Sequence, residues 1–382
     1  METSPTVDGV SAPLARDQAA TATEIDRVYM RRALALAEKG WGRVHPNPLV
    51  GAVVVNGGEV VGEGYHAEYG GPHAEVVALA AAGERARGAT LYVTLEPCAH
   101  HGKTPPCADA VIAAGVARVV YAVADPNEVA SGGAERLRRA GIEVVAGVEE
   151  AAARAQNAIF LHNVMQPRPF VALKLALTLD AKLAESPDRP SIVTGPEARA
   201  ETHRLRAGFD AIMVGIGTAL ADDPLLTARG TVVPRKPPAR VVVDTDARLS
   251  PTSRLLATVD TVPVVIVCAG DAPSERRAAL EARGARIVTA PRGPGGVELT
   301  AAIEELQRAG IRSIFCEGGG RLGAALLGAD LVQRLYLFYA PRFFGSDAVS
   351  AFPGRFDPGQ GWRRQYLETF GPDILVVLDR DR

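Results

Sequence analysis

His73-Ala74-Glu75, followed later by Pro97-Cys98 and Pro106-Cys107, is the part of the sequence that decides what this chain can be. One imidazole and two thiolates can bind a single zinc ion and leave its fourth tetrahedral position open, which is the arrangement of a catalytic site. Glu75 lies two residues after His73, close enough to move protons at such a site without ligating the metal. These residues predict one zinc ion per chain, held by His73, Cys98 and Cys107, with Glu75 as the catalytic acid and base.

Each of these residues has an ordinary explanation when it is taken alone. A single histidine is more often a surface or core residue than a ligand, and two cysteines are more often buried apolar thiols. A structural zinc site needs a fourth ligand, for which His100 and His101 have a suitable spacing. The joint occurrence of histidine, acid and both Pro-Cys steps favours the catalytic interpretation, because it follows the H-x-E…P-C-x-x-C pattern of zinc nucleobase deaminases. The departure from that pattern is the eight residues that separate the two cysteines.

Length and composition indicate a globular protein with two domains. The 382 residues are too many for one ordinary core, and 47% of them are hydrophobic while 23% are charged. A formal net charge of −2 argues against a nucleic-acid or membrane partner. Four cysteines are too few for a disulfide framework, which fits a reducing, cytoplasmic setting. No apolar run approaches the ~20 residues that are needed to span a bilayer.

The pattern of elements predicts an α/β fold in both halves. Alternating helices and strands fill residues 24–166, whereas residues 1–23, rich in Ala, Ser and Thr, are predicted to form a disordered tail. The proline-rich segment Gln166-Pro167-Arg168-Pro169 is interpreted as a hinge. A second series of strands and helices follows it and predicts a second domain over residues 167–382. One long helix is predicted over Glu149–Asn163, just before the hinge.

Glycine-rich turns follow two of the predicted strands in the second half. Ala211–Val214 runs into Gly215-Ile216-Gly217, and Ser313–Cys316 runs into a turn that contains Gly318-Gly319-Gly320. Glycines at such places let backbone N–H groups approach a phosphate at a helix N-terminus. Neither turn is a complete G-x-G-x-x-G motif, so the residues alone leave open whether they bind a nucleotide or only make tight turns.

Gly102-Lys103-Thr104, in the loop between the two cysteines, resembles the end of a P-loop. Pro97 stands where that motif requires a glycine, so the sequence does not predict a nucleotide hydrolase. Lys103 and Thr104 can still hold a substrate phosphate through a point charge and a hydroxyl group. A solvated loop lysine is the ordinary alternative at this position.

The motifs of both halves together resemble the bifunctional riboflavin-biosynthesis deaminase/reductase family of bacteria. In the first half they are His45-Pro46-Asn47-Pro48, Gly62-Glu63-Gly64-Tyr65-His66, His73-Ala74-Glu75 and the continuous stretch from Thr94 to Cys107. In the second half they are Leu173-Lys174-Leu175, Thr194-Gly195, Leu205-Arg206-Ala207, Gly217-Thr218, Ala221-Asp222-Asp223-Pro224 and Glu317-Gly318-Gly319. The resemblance runs in family order from the first predicted helix to the end of the chain, and the long cysteine spacing is that family's form of the deaminase motif.

The resemblance implies a cytidine-deaminase-like α/β/α sandwich followed by a dihydrofolate-reductase-like α/β domain. It implies hydrolytic deamination of 2,5-diamino-6-(5-phosphoribosylamino)pyrimidin-4-one, and then reduction by NADPH of the ribosyl side chain of the resulting uracil to ribityl. The positions that it assigns to NADPH are Ala176, Thr194, Thr218, Asp222, Thr245, Gly319 and Gly320. The positions that it assigns to the substrates are Asn47, His66, Lys103, Thr104, Arg206, Leu226, Arg229 and Glu317. Lys174 lies in a predicted strand, and we expect it to bind the substrate and polarise the ring-opened sugar.

The chain departs from the family pattern at several positions. Ala181 replaces the glycine of Leu-Asp-Gly, Ile192 replaces a tryptophan assigned to the cofactor, and Pro190 replaces a serine assigned to the substrate. A second hypothesis therefore stays open, in which an active deaminase is fused to a reductase-like domain that binds but does not turn over. A nucleic-acid-editing deaminase is a poor third hypothesis, because the net charge is −2 and only 5% of the residues are aromatic. The expected partners are small phosphoribosylaminopyrimidines, and a homo-oligomer is left open.

Overall fold

The computed structural model describes residues 22–100, 105–127, 131–186, 191–353 and 361–381. Its α-helices are α1 Glu24–Glu38, α2 Ala74–Ala82, α3 Cys107–Ala113, α4 Gly133–Arg139, α5 Glu150–Gln156, α6 Ala158–Met165, α7 Pro196–Arg206, α8 Ile216–Asp222, α9 Arg254–Ala257, α10 Ser274–Glu281, α11 Leu299–Arg308 and α12 Gly320–Gly328. Its strands are β1 Gly51–Asn56, β2 Glu59–Tyr65, β3 Thr90–Leu95, β4 Arg118–Val123, β5 Glu143–Ala146, β6 Phe170–Thr178, β7 Lys182–Ala184, β8 Ala211–Gly215, β9 Ala239–Val243, β10 Val264–Ala269, β11 Arg286–Ala290, β12 Arg292–Gly293, β13 Gly296–Val297, β14 Ser313–Cys316, β15 Arg334–Ala340, β16 Val349–Ser350, β17 Trp362–Phe370 and β18 Asp373–Arg380. Within these ranges no helix is both long and apolar enough to cross a lipid bilayer.

The first half forms a five-stranded sheet in the order β2-β1-β3-β4-β5. Strand β1 pairs antiparallel with β2 and β3, whereas β3, β4 and β5 are parallel. The strands β1, β3 and β4 are buried along nearly their whole length, because helices cover both faces of the sheet. Helices α1 and α5 contact each other on one face, and α2, α3 and α4 follow one another on the opposite face. The predicted α/β/α sandwich is confirmed.

The second half forms a nine-stranded sheet in the order β11-β10-β9-β8-β14-β6-β15-β18-β17. The strands from β11 to β15 in this order are parallel, and β18 and β17 complete the sheet as antiparallel strands. The carboxyl ends of the parallel strands share one edge of the sheet, where open α/β folds bind their ligands. Both glycine-rich turns lie at this edge, since they follow β8 and β14.

The prediction of one long helix over Glu149–Asn163 is wrong, because the chain breaks at Asn157 into α5 and α6. The Asn157 side chain accepts a hydrogen bond from the N–H of Leu49 and donates one to the C=O of Leu49, both at 2.8 Å. Leu49 and Asn157 are buried, so without this amide two backbone groups would lack partners. Satisfying them outweighs the hydrogen bonds of one continuous helix.

Helix α1 begins with a capping box at Thr23. The Thr23 hydroxyl accepts from the N–H of Asp26 at 3.2 Å, and the Asp26 carboxylate accepts from the N–H of Thr23 at 2.8 Å. Thr23 is therefore part of the folded chain, although its composition placed it in the predicted tail. Residues 1–21 of that tail lie outside the described residues.

The two halves pack together beside α1 and α7. The indole N–H of Trp41 donates to the C=O of Arg204 at 2.8 Å, and Arg204 pairs with Glu38 of α1 at 2.6 Å. Gly208 permits this approach, because a Cβ atom there would lie 2.1 Å from the Trp41 ring. The junction is therefore close-packed at its centre.

Further junction contacts lie at the amino ends of the parallel strands of the second sheet. Arg312, just before β14, donates to the C=O of Asn163 at 3.2 Å. Arg334, the first residue of β15, donates to the C=O of Ala155 at 2.8 Å. The first half thus packs against the amino ends of the parallel strands, whereas the glycine-rich turns lie at the carboxyl ends.

Candidate metal centre and active-site cleft

The three predicted zinc ligands come together in the first half. His73 is the N-cap of α2, Cys98 lies in the loop after β3, and Cys107 is the first residue of α3. Their ligating atoms lie within 4.8 Å of one another, and His73 Nδ1 is 3.1 Å from Cys107 Sγ and 3.8 Å from Cys98 Sγ. A tetrahedron built on zinc bonds of about 2.0–2.3 Å has edges of similar length, so the donor set fits one zinc ion.

Among the described residues no fourth protein ligand joins this group. The group of residues that could hold a metal contains His73, Cys98 and Cys107 but not His100. His101, the other candidate, lies outside the described residues. An open fourth position distinguishes catalytic from structural zinc sites. The geometry therefore favours the catalytic interpretation.

The surroundings of the group suit a metal ligand and a proton carrier. Hydrogen bonds with the Cys107 thiol and with His73 lower the pKa of Cys98 to about 4, which favours the thiolate form that binds zinc. Glu75 lies in the first turn of α2 and is only 3% exposed. Burial raises the pKa of its carboxyl above the ordinary value. A carboxyl group shifted in this direction is better matched to proton transfer near neutral pH.

Asn47 and His66, both predicted to bind substrate, lie together beside the metal-binding group. The Asn47 amide donates to His66 Nε2 at 3.2 Å, and His66 Nδ1 donates to the C=O of Pro72 at 3.0 Å. Burial lowers the pKa of His66, so both bonds are consistent with a neutral ring. The His66 ring lies edge-on to that of His73, with 5.7 Å between the ring centroids. The two side chains therefore border the space in front of the group.

Glu96 is a residue of this site that the sequence analysis missed. It directly precedes Pro97-Cys98, is 8% exposed, and accepts a hydrogen bond from the N–H of Ala134 at 2.9 Å. The bond ties the loop that carries Cys98 to the start of α4. Gly133 is needed at this start, because a Cβ atom there would lie 1.7 Å from the C=O oxygen of Pro97. Its position directly before Pro97-Cys98 was the sequence signal that could have revealed this role, because carboxylates close to a metal ligand commonly orient the metal-binding groups.

Most residues predicted to bind the cofactor line one cleft at the carboxyl edge of the nine-stranded sheet, with a volume of about 980 Å³. From the cofactor set it is lined by Ala176, Thr218, Asp222, Thr245, Gly319 and Gly320. From the substrate set it is lined by Lys174, Arg206, Leu226 and Glu317. The N–H of Gly319 donates to the Thr218 hydroxyl at 3.3 Å. The two glycine-rich turns, whose role the sequence left open, are therefore parts of one site.

Arg206 and Glu317 form an ion pair in the cleft. Arg206 Nε and Nη2 reach the two carboxylate oxygens at 2.5 and 3.0 Å, and Nη1 donates to the C=O of Thr227 at 2.9 Å. Burial opposes ionisation of Glu317, but Arg206 and Lys174 more than compensate and lower its pKa. Burial lowers the pKa of Lys174, although the charge of Glu317 opposes this shift. Lys174 thus lies in the same cleft as a carboxylate that is held in place by Arg206.

Some predicted residues lie beside the cleft or cannot be placed. Thr194 is buried, and its C=O accepts a hydrogen bond from Arg199 at 2.6 Å. Arg229 is exposed, and its charge adds to burial in lowering the pKa of His203. Ile192, which replaces the family's tryptophan, is 70% exposed. Three further residues that the sequence analysis named lie outside the described ranges: Lys103, Thr104 and Pro190.

Two family models match the chain, one over each site. Residues 23–123 match the cytidine and deoxycytidylate deaminase zinc-binding region. Residues 169–376 match the RibD C-terminal domain. The first range contains the His73, Cys98 and Cys107 group, and the second contains all of the residues named above in the cleft.

Full-length relatives match across both ranges. Riboflavin biosynthesis protein RibD of Aquifex aeolicus (strain VF5) is 40% identical over 360 residues, which cover 94% of this chain and 99% of the relative. The protein of the same name from Escherichia coli (strain K12) is 39% identical over 376 residues, covering 92% and 99%. The solved structure of Acinetobacter baumannii RibD has a TM-score of 0.79 at 34% identity, covering 94% and 99% of the two chains. A diaminohydroxyphosphoribosylaminopyrimidine deaminase/5-amino-6-(5-phosphoribosylamino)uracil reductase from Thermotoga maritima has a TM-score of 0.77, with the same identity and coverage. The chain belongs to the RibD family of bifunctional riboflavin biosynthesis deaminase/reductases, as the order of its motifs indicated.

Proposed function

We propose that the first half of this chain deaminates 2,5-diamino-6-(5-phosphoribosylamino)pyrimidin-4-one and that the second half reduces the ribosyl side chain of the product with NADPH. The observation that carries the proposal is the grouping of His73, Cys98 and Cys107 around a fourth position to which no described residue contributes, with the buried acid Glu75 beside it. The names of the relatives support the same pair of reactions. The domain boundary proposed from the sequence, between residues 166 and 167, falls between α6 and β6.

In the deaminase site His73, Cys98 and Cys107 would hold the zinc ion. When bound, zinc supplies the Lewis acidity that makes water a nucleophile near neutral pH. The Glu75 carboxylate carries one proton from the attacking water to the ring nitrogen, and then carries the second proton, from the hydroxyl group so formed on the ring carbon, to the leaving amine. Water and the aminopyrimidine thereby give ammonia and the ring carbonyl. Asn47, held by His66, orients the ring for this attack.

In the reductase site the cleft suits a dinucleotide. Its volume of about 980 Å³ is large enough, and Gly319 is the N-cap of α12, where backbone N–H groups can meet a phosphate. When bound, NADPH supplies the hydride. Lys174 hydrogen-bonds the imine nitrogen of the ring-opened sugar and supplies that nitrogen with the proton that balances the hydride added to the adjacent carbon. Arg206 holds the carboxylate of Glu317 beside that lysine, and both side chains face the phosphorylated sugar.

A coupled assay tests both halves at once. The chain is mixed with the diaminopyrimidine substrate and NADPH, and the release of ammonia and the oxidation of NADPH are followed separately. We expect ammonia first and then an equal amount of oxidised cofactor. Ammonia without NADPH oxidation would replace the proposal with the second hypothesis, an active deaminase fused to a binding domain. The polar set of Lys174, Arg206 and Glu317 argues against that outcome, because a cleft without chemistry would not need it.

Substituting one zinc ligand tests the metal centre. We expect the Cys107→Ser variant to lose most of its zinc and its deaminase activity, because one of three protein ligands is weakened. Metal analysis of the purified variants measures the zinc. Cys268→Ser is the matched control, since Cys268 is also buried but lies in the second half. Undiminished zinc in Cys107→Ser would remove Cys107 from the site.

Two charge substitutions, one in the cleft and one beside it, distinguish substrate binding from cofactor binding. Arg229→Ala should raise KM for the aminouracil substrate about tenfold, as expected for one lost hydrogen bond to a charged group. Asp222→Ala should instead raise KM for NADPH. Steady-state kinetics with each ligand varied in turn measure both constants. The assignments fail if the two variants raise the same KM.

A further inference from the structure

A contact between the two halves lies next to the deaminase site. His45, in the loop between α1 and β1, places its Nε2 atom 3.0 Å from one carboxylate oxygen of Asp210 and 3.1 Å from the other. Asp210 immediately precedes β8 in the second sheet and is 165 residues away in sequence. Both side chains are mostly buried, with 22% and 25% of their surfaces exposed. A residue of the reductase half therefore holds a histidine of the deaminase half.

Asp210 is itself rigidly mounted. Its carboxylate accepts hydrogen bonds from the N–H of Arg312 at 2.9 Å, the N–H of Ser313 at 3.0 Å and the Ser313 hydroxyl at 3.2 Å. Burial alone would raise the pKa of Asp210, but the bond with His45 and these donors lower it. The carboxylate is thus a fixed, charged acceptor at the amino end of β8.

The loop that carries His45 is also clamped through its backbone. Arg235 of the second half donates from Nη2 to the C=O of His45 at 2.9 Å and from its N–H to the C=O of Gly42 at 2.8 Å. The guanidinium of Arg235 lies 4.7 Å above the ring of Tyr69 in the first half. The loop is therefore held on both its side-chain and its backbone atoms by the reductase half.

This loop leads directly into the substrate-binding residue Asn47. The N–H of Asn47 donates to the C=O of Val44 at 2.9 Å, so Asn47 closes the same turn that contains His45. Its amide reaches His66, whose ring stands against that of His73. A displacement of His45 would pass to Asn47 through the one residue between them.

We propose that Asp210, a residue of the reductase half, is a positioning residue of the deaminase, which acts through His45 to fix the side chain of Asn47 for the pyrimidine ring. The inference rests on the proposed function, because Asn47 has no ring to orient if the chain is not a deaminase. Holding a substrate-binding group in place before the substrate arrives lowers the cost of ordering it on binding. The deaminase half is on this account complete only when it is docked on its neighbour.

The test uses the full-length chain with its zinc. In Asp210→Ala we expect KM for the diaminopyrimidine to rise about tenfold, a size typical of groups that orient functional residues, with kcat for ammonia release nearly unchanged. Asp210→Asn keeps an acceptor for His45 and should restore most of the affinity. Glu38→Gln is the matched control, since it weakens the ion pair of the junction between Glu38 and Arg204 and leaves His45 and Asp210 in place.

A double-mutant cycle with His45→Ala identifies the route and gives a second variant, located in the first half, should Asp210→Ala fold poorly. The effects of the two substitutions on KM should not add, because both remove the same contact. The inference is overturned if Asp210→Ala and His45→Ala raise KM no more than Glu38→Gln does. It is also overturned if they lower zinc content and both activities together, which would indicate a purely structural role. A wild-type chain that releases no ammonia would instead overturn the proposed function.

Discussion

Replacing Glu75 by Gln is expected to abolish ammonia release while zinc stays bound. The amide has the size of the carboxylate, so α2 and the three ligands keep their places. It cannot take the proton of the attacking water, and general acid–base groups of this kind contribute about 100- to 10,000-fold to the rate. We therefore expect kcat for deamination to fall by at least about 100-fold, measured as ammonia released under saturating substrate.

Two controls separate loss of the proton carrier from damage to the fold. Glu84→Gln changes an exposed acid just beyond the end of α2, and it should leave deamination unchanged. In the Glu75→Gln variant, the reductase half should still oxidise NADPH when the variant is given the deaminated substrate. Near-normal ammonia release by Glu75→Gln, with a full complement of zinc, would exclude Glu75 as the acid and base.

The second large effect is expected in the cleft, where Lys174→Met should nearly stop reduction. Methionine keeps most of the apolar stem beside Phe338, whose ring centroid lies 5.6 Å from Lys174 Nζ. It removes the only lysine that lines the described part of the cleft. Loss of one donor to a reacting atom commonly lowers kcat by about 100- to 1,000-fold, and we expect a decrease in this range.

The dissociation constant of NADPH distinguishes this role from cofactor binding. It should change little in Lys174→Met, because all members of the cofactor set except Ala176 lie on segments other than β6. Lys182→Met is the matched control, since Lys182 also lies in the second half but contacts the C=O of Ser346 instead of the cleft. Reduction at the wild-type rate in Lys174→Met would show that another group polarises the sugar.

The sequence predicted those parts of the fold whose burial is visible in the local pattern. Strand β14 has the predicted ends, because it is a short apolar run that is followed by turn residues. Strand β17 was missed, since it lies at the edge of its sheet and its mostly exposed side chains do not alternate. The break at Asn157 was missed because it depends on Leu49, which lies 108 residues away. Contacts between residues so far apart in the chain produce no periodic pattern in the local sequence.

The candidate sites also contain some features that the sequence could predict and others that it could not. The zinc ligands were predictable because spacing and residue type together specify the donor set. Pairing within the cleft was not, because Arg206 and Glu317 are 111 residues apart and each was assigned to the substrate separately. The support that Glu96 gives to the Cys98 loop was hidden for the same reason, since its partner Ala134 lies in α4, 38 residues further along the chain.

The seating of the first half on the amino ends of the parallel strands has a consequence for the path of the intermediate. Strand β8 has five residues, so about 16 Å of sheet separates Asp210 at one edge from the glycine-rich turn at the other. Within one chain, deaminated pyrimidine leaves beside the near edge, whereas the cleft that consumes it opens at the far edge. We therefore expect each molecule of the intermediate to enter the surrounding water and to be bound in a second encounter. When isotopically labelled diaminopyrimidine is supplied together with an excess of unlabelled aminouracil, we expect the ribityl product to be diluted to the isotopic composition of the bulk pool.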